Sequence, residues 1–137
     1  MHEIYLKLPW VPSYGSYYRQ TRSGKFITAS GKTFREAVIA AAHEQNAYKL
    51  MANSPLEFSA ILYPPDKRVR DFDNHLKALQ DSLTNAKVWV DDGAIDQMHV
   101  YRGVIVPKGM VLVKISEGAM LLPAFNIAEK VWDYIGD

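Results

Sequence analysis

Five charged residues between positions 71 and 92 have the types and spacing that could do chemistry. Asp71 and Asp73 are separated by one residue, and Lys77 follows four residues after Asp73. Asp91 and Asp92 form an adjacent pair further along the chain. Carboxylates that converge repel one another unless a cation neutralises them, and oxygen ligands select a hard cation. Because the sequence has no cysteine, the expected ion is Mg²⁺, with Mn²⁺ as a possible substitute.

This donor set favours phosphodiester hydrolysis. A divalent ion polarises the phosphate, and the ammonium group of Lys77 can stabilise the negative charge that develops on a phosphate oxygen. Ordinary structural roles are the alternative. Asp71 or Asp73 could be a helix N-cap, and Lys77 could form an i,i+4 ion pair with Asp73 worth about 0.3–0.5 kcal/mol. A turn accounts for one acidic residue, but not for both Asp91 and Asp92.

The elements around these residues decide whether the carboxylates meet. A helix is predicted to begin at the aspartates, because apolar residues then recur at spacings of three and four. Residues 88 to 90, Val-Trp-Val, predict a short strand, and residues 91 to 93 predict a turn. If this strand lies beside the start of the helix, the four carboxylates converge. The apolar stripe of the helix consists of Phe72, Leu76, Leu79, Leu83 and Ala86.

The chain before this region predicts two strands and a helix. Residues 3 to 8 and 56 to 63 alternate between apolar and polar side chains, which is typical of half-buried strands. A helix is expected from about Gly31 to Met51, with Thr33 or Ser30 as its N-cap. Its inward-facing residues are expected to be Phe34, Val38, Ala41 and Tyr48.

After the acidic pair, residues 94 to 106 and 110 to 116 predict two further strands. Residues 107 to 109, Pro-Lys-Gly, favour a turn between them, so we expect a hairpin. Gly103 could mark a bulge. Residues 1 to 117 would form a single domain, and residues 118 to 137 a helical extension that docks on the domain or on a second copy.

Basic side chains fall in two places. Residues 10 to 28 are dense in aromatic residues and include Arg19, Arg22 and Lys25, a combination that suits phosphate contact with base or sugar stacking. An equally weighted alternative is a solvated hairpin whose tyrosines pack on the sheet. The second group comes just before Asp71 and could grip phosphates beside it; its members are Lys67, Arg68 and Arg70.

Composition bounds the class of protein. With 137 residues, 48% of them hydrophobic and 23% charged, the chain is expected to form one globular domain. The absence of cysteine fits a reducing cytoplasm. We expect no membrane span, because no apolar run is long enough, and no signal peptide. The formal net charge is only +1, but residues 1 to 35 carry six basic and one acidic side chain, so the first third of the chain could hold a polyanion.

The motif order resembles the RusA family of Holliday junction resolvases. LPWVPS with YYR close behind is followed by PPDKRVRDFDNHLKALQDSL and then by VWVDDGAID, so the resemblance covers roughly residues 4 to 116. It implies a homodimeric α+β endonuclease of prophage type that cuts four-way DNA junctions with Mg²⁺ by paired symmetric nicks, without a small-molecule cofactor. The predicted strands and helices suit the fold that the motif resemblance implies, which is α+β, a single small domain with a mixed β-sheet and helices packed on it. The essential residues implied by the motif are Asp71, Asp73, Lys77 and Asp92, with Asp91 as their neighbour.

The chain departs from the family pattern at three positions. Phe72 stands where leucine is usual, Val69 interrupts the basic run, and Gly93 follows the acidic pair. The leading hypothesis remains a metal-dependent junction endonuclease that acts in DNA recombination and repair. The alternative is a DNA-structure binding protein without nuclease activity in the cell. A third possibility, a hydrolase of nucleotides or other small phosphates, needs a base pocket that the sequence does not reveal.

Overall fold

The computed structural model of the chain describes residues 3–47, 55–89 and 92–117, and of residue 92 it describes the backbone alone. In chain order the elements are β1 (Glu3–Pro9), α1 (Tyr14–Tyr17), β2 (Tyr18–Thr21), β3 (Gly24–Ile27), α2 (Ala29–Glu44), β4 (Leu56–Tyr63), α3 (Phe72–Asn85), a short 3₁₀ helix (Asp92–Ala94), β5 (Ile95–Arg102) and β6 (Met110–Glu117). None of the described helices is long and apolar enough to cross a membrane.

Four strands form one mixed sheet in the order β1-β6-β4-β5. β6 pairs antiparallel with both β1 and β4, whereas β5 pairs parallel with β4. A parallel pair needs a long crossover connection, and α3 lies in the connection between β4 and β5. Strands β2 and β3 form a separate two-stranded hairpin. The predicted α+β architecture, a mixed sheet with helices in one small domain, is confirmed.

The core lies between one face of the sheet and the helices. Alternate side chains of a strand point to opposite faces, and Leu8 of β1 and Leu62 of β4 both pair with Val111 of β6 and are buried with it. From the helices, Val38, Leu79 and others fill the space above this face. The remaining buried apolar residues of these strands are Ile4, Leu6, Leu56, Phe58, Ala60, Val113 and Ile115.

The predicted hairpin between residues 94 to 106 and 110 to 116 is wrong in its pairing. Both strands exist, but β4 lies between them and pairs with each. Every second residue of β4 is completely buried, which explains its central position. Gly103 is not a bulge either. It follows β5 and donates its N–H to the Leu62 oxygen (2.9 Å), and a Cβ there would clash with the Tyr63 ring.

Helix α2 begins and ends earlier than predicted. Its N-cap is Thr28, rather than Thr33 or Ser30, and the Thr28 hydroxyl accepts the N–H of Gly31 (3.0 Å). The helix ends at Glu44 because Asn46 adopts a left-handed conformation with φ of 52°, a common helix stop. The expected inward position of Tyr48 lies outside the described residues.

The predicted strand at residues 88 to 90 is wrong for its two described residues. The N–H of Val88 donates to the Leu83 oxygen (3.1 Å), a bond that closes the end of α3. Trp89 is buried next, with its ring edge-on to Phe58 at 5.5 Å between centroids. These bulky residues therefore fill the core from a turn, without joining the sheet.

The end of α3 offers a test of backbone strain. Lys87 lies just past the helix with φ of 62°, a conformation that costs a residue with a side chain about 1 kcal/mol or more. We expect Lys87→Gly to raise the free energy of unfolding by about 0.5–1 kcal/mol. Urea denaturation followed by circular dichroism measures this change. Lys87→Ala keeps the strain, so an equal gain from alanine would contradict the explanation.

Candidate active site

Two predicted site residues lie at the start of α3. Asp71 is the N-cap, and its Oδ1 atom accepts the backbone N–H of Asp73 (3.1 Å). The capping interpretation of Asp71 is therefore confirmed. Asp73 lies in the first helical turn, and both side chains are exposed. Within the described residues, no lysine or arginine forms an ion pair with either carboxylate.

This arrangement fits a hard divalent cation. Capping occupies one oxygen of Asp71, so its other oxygen and both oxygens of Asp73 are available as ligands. The positive end of the helix dipole favours negative charge at this position. Among the described side chains, no group of three histidine, aspartate or glutamate residues could hold a metal. If Asp71 and Asp73 bind a metal ion, at least one further ligand has to come from outside the described side chains.

Lys77 lies one turn further along α3 and is exposed. Its Nζ atom lies 4.9 Å from the centre of the Tyr14 ring, and no ion pair joins it to Asp73 in the described part of the chain. The alternative role predicted for Lys77, an i,i+4 ion pair with Asp73, is therefore not found among the described residues. Its ammonium group contacts the Tyr14 ring and is still exposed to solvent, so it can bind an anion.

The backbone of Asp92 lies far from the start of α3. The 3₁₀ helix of Asp92 leads directly into β5, whose first residue, Ile95, pairs with the start of β4 at Leu56. The other end of β5 is near the start of α3, since the Arg102 guanidinium lies 3.9 Å from the Phe72 ring centre. At 3.3 Å per residue, these two ends are about 23 Å apart.

The condition set for convergence of the four carboxylates is therefore not met by the described residues of one chain. It required residues 88 to 90 to form a strand beside the start of α3, whereas the two described residues, Val88 and Trp89, lie in the turn at the end of α3. Asp91 lies outside the described residues. The roles of Asp71, Asp73, Asp91 and Asp92 as metal ligands stay predictions, and so does the catalytic role of Lys77.

The buried side chain of His75 helps to hold the start of α3, where Asp71 and Asp73 lie. His75 is 6% exposed, and its Nδ1 atom donates to the Val11 oxygen (2.9 Å), since a carbonyl can only accept. Burial lowers the pKa of His75, so its imidazole is neutral near pH 7. The Trp10 ring lies 5.0 Å from His75 and 6.1 Å from Phe72. Sequence reasoning missed this support; the adjacent Trp10 and Val11 in the motif LPWVPS were its only signal.

The loop before Asp71 is braced by an ion pair. Arg70 lies 2.8 Å from Asp66, and the Arg70 side chain is only 6% exposed. The Arg70 guanidinium and the backbone N–H of Arg68 hold the pKa of Asp66 below its usual value. Arg70 also lies 5.7 Å from the Trp10 ring centre. The structure thus gives Arg70 a positioning role; its predicted DNA contact, like those of the exposed Lys67 and Arg68, stays a prediction.

A polar cleft of about 410 Å³ opens beside Asp71. Its walls come from the starts of α1, α2 and α3 and from the loop before Asp71. Hydrogen-bond donors dominate the lining, which includes Ser13, Ser16, Arg68 and Asn74. No tyrosine, tryptophan or phenylalanine is among the residues that line it. The cleft thus suits a phosphate or sugar better than a flat base.

The basic hairpin of β2 and β3 contains the other predicted DNA-binding residues. Arg19, Arg22 and Lys25 are exposed there. Lys25 donates to the Tyr14 hydroxyl (2.7 Å) and lies 4.4 Å from the Tyr18 ring centre. The bond to Tyr14 raises the pKa of Lys25, which keeps its ammonium group charged. The hairpin is solvated, which the alternative to DNA binding also predicted. Its three cationic side chains are exposed and therefore available to bind phosphates.

One buried tyrosine links this hairpin to α3. The Tyr17 hydroxyl is hydrogen-bonded to Ser82 of α3 (2.9 Å) and accepts Nε of Arg35 (2.6 Å). A second nitrogen of Arg35 donates to the Tyr18 hydroxyl (2.9 Å). Sequence reasoning assigned no role to Arg35 or Ser82, since hydroxyl pairing across elements leaves no spacing signal. The links fix the basic hairpin relative to Lys77.

Comparison with known proteins identifies the family. The family model for endodeoxyribonuclease RusA matches residues 9–116. The crossover junction endodeoxyribonuclease of Enterobacteria phage HK97 is 38% identical over 117 residues, covering 85% of this chain and 97% of that protein. The same-named proteins of Enterobacteria phage 82 and Escherichia coli K12 are 32% and 31% identical, with the same coverage. The chain belongs to the RusA family of endodeoxyribonucleases.

Proposed function

We propose that this endodeoxyribonuclease resolves Holliday junctions in the cytoplasm by Mg²⁺-dependent, paired symmetric nicks, in DNA recombination and repair. The observation that carries the proposal is the exposed pair Asp71 and Asp73, unneutralised by any described cation, one helical turn from Lys77. The relatives named as crossover junction endodeoxyribonucleases support the substrate.

Each residue has a defined task in this proposal. Asp71, Asp73 and Asp92 would hold Mg²⁺, with Asp91 beside them, and Mn²⁺ could substitute. When bound, the ion supplies charge stabilisation at the phosphate and lowers the pKa of a water molecule. Lys77 binds a non-bridging oxygen of the scissile phosphate and stabilises the charge that develops there.

Geometry supports a homodimer. The Asp92 backbone lies beyond one end of β5, and Asp71 and Asp73 lie near its other end; the strand is about 23 Å long, more than a side chain can span. Two copies related by a two-fold axis could bring Asp92 of one copy to Asp71 and Asp73 of the other. Such a dimer has two equivalent sites, which is what paired symmetric nicks require. Residues 118 to 137, for which the sequence predicts a helical extension, lie outside the described residues.

DNA would be held mainly by the first third of the chain and by the loop before Asp71. Arg19, Arg22 and Lys25 would bind phosphates on one side of the site, with Lys67 and Arg68 on the other. Arg70 would act by keeping the loop in place, since its side chain is almost fully buried. Affinity for the junction is therefore expected to fall steeply with salt.

Two other functions fit less well. A DNA-structure binding protein without nuclease activity does not need paired, exposed carboxylates that repel phosphates. A hydrolase of nucleotides needs a surface for the base, and the cleft beside Asp71 has no large aromatic side chain in its lining. An immobile four-way junction and a mononucleotide therefore discriminate between the three functions.

The first experiment is cleavage of an end-labelled synthetic four-way junction, with linear duplex as the control substrate. We expect paired nicks at symmetric positions in Mg²⁺ or Mn²⁺, none in EDTA, and none on the duplex. Varied junction sequences should be used, because base preference would otherwise hide activity. Tight junction binding without nicks in either metal would favour the binding-protein alternative.

A further inference from the structure

Two cations from different elements meet at one aromatic ring. Tyr14 lies on α1, Lys25 on β3 and Lys77 on α3. The Nζ atom of Lys25 lies 5.2 Å from the centre of the Tyr14 ring, and that of Lys77 lies 4.9 Å from it. The two ammonium groups are therefore at most about 10 Å apart.

The ring that joins them is well supported. Tyr14 is half-buried, and its ring packs edge-on against Tyr18 with 5.1 Å between centroids. Tyr18 is held in turn by Arg35, whose guanidinium donates to its hydroxyl (2.9 Å). The Tyr14 ring therefore has a fixed position, and the two flexible lysine side chains pack against it.

Bringing two ammonium groups together is unfavourable without an anion. The attraction between an ammonium group and an exposed aromatic ring is weak. None of the described ion pairs includes Lys25 or Lys77, and the carboxylate whose charge acts on Lys25 is Asp81. Both side chains are exposed. The pair therefore has the character of a binding site for a polyanion whose charges are closely spaced.

We propose that Tyr14 is a positioning residue whose ring orients Lys77 and whose hydroxyl orients Lys25, so that the two bind neighbouring phosphates of the cleaved DNA strand. This inference rests on the proposed function and deepens it. Lys77 meets the scissile phosphate beside Asp73, and Lys25 meets the next phosphate. The strand then continues along the β2–β3 hairpin, past Arg19 and Arg22.

Two substitutions at Tyr14 separate the ring from the hydroxyl. Tyr14→Leu removes the surface under Lys77, and we expect the single-turnover cleavage rate at saturating enzyme to fall by roughly 10-fold. Tyr14→Phe keeps the ring but loses the hydroxyl, so its rate should fall less than that of Tyr14→Leu, while junction affinity without metal falls by about threefold through the loss of the Lys25 contact. A purely structural role would not divide rate and affinity between the two variants.

The phosphate contact of Lys25 is tested through salt. Junction affinity is measured in EDTA at several salt concentrations, and Lys25→Gln should reduce the slope of log affinity against log salt by about 0.9, the value for one lost phosphate. Lys7→Gln is the matched control, since Lys7 is an exposed lysine on the edge strand β1. Its slope should equal that of wild type.

Three results would overturn the inference. One is wild-type single-turnover cleavage by a folded Tyr14→Leu protein. The second is equal loss of rate in Tyr14→Leu and Tyr14→Phe, and the third is a Lys25→Gln slope no different from that of Lys7→Gln. Because the salt measurement needs no metal and no cleavage, it decides on the phosphate site even if the wild-type protein makes no cut. Circular dichroism confirms the fold of each variant.

Discussion

Asp73→Asn is expected to abolish junction cleavage, by roughly 10³-fold or more, while leaving junction binding intact or tighter. The Asp73 side chain is exposed, so the isosteric amide disturbs no buried contact. It removes a metal ligand and a negative charge that repels phosphate. Single-turnover cleavage in Mg²⁺ measures the first effect, and a mobility shift in EDTA measures the second.

Two further variants make this result specific. Asp71→Asn should abolish cleavage to a similar extent with little loss of stability, because asparagine caps a helix about as well as aspartate. Glu36→Gln removes an exposed acidic residue on α2 and should cleave as wild type does. A folded Asp73→Asn protein that still cuts junctions would refute the metal site.

Mixed dimers are expected to recover activity from two inactive proteins. If Asp92 of one copy completes the site of the other, a heterodimer of Asp73→Asn and Asp92→Asn subunits has one intact site. Co-expression with two affinity tags isolates this heterodimer. It should nick junctions at about half the wild-type rate, with one nick per junction. If every site belonged to one chain, the same heterodimer would be inactive.

The reciprocal heterodimer gives the opposite result. It combines a wild-type subunit with one that carries both Asp73→Asn and Asp92→Asn. Sites shared between subunits would both be damaged, so no cleavage is expected, whereas sites within one chain would leave one intact. Activity in this heterodimer, together with none in the first, would refute the shared site.

Local sequence patterns predicted the individual elements well. The stripe of α3 and the alternation of β4 are signals within one element, and the structure confirms both. Asp71 was recognisable as an N-cap because capping is also local. The strand prediction failed at the described residues Val88 and Trp89, since a left-handed Lys87 ends α3 and turns both side chains into the core.

Long-range relations were beyond the reach of these patterns. Adjacent strands favour a hairpin, yet β4 separates β5 from β6 because its alternate residues need burial at the centre of the sheet. The prediction that Asp92 lies beside Asp73 had a different origin, the strand expected at residues 88 to 90. The contact between Tyr14 and Lys77 joins residues 63 positions apart in sequence, and no spacing rule reports it.

The pairing of β1 with β6 constrains how the enzyme folds. Glu3 of β1 lies opposite Ser116 of β6. Strand β1 therefore cannot pair until β6 has been synthesised. Closing so long a loop costs entropy and slows folding. A chain synthesised only as far as β5 has no partner strand for β1, and therefore no fixed position for the Val11 oxygen that anchors His75. During synthesis, DNA-cutting competence would accordingly arise late, after the sheet closes.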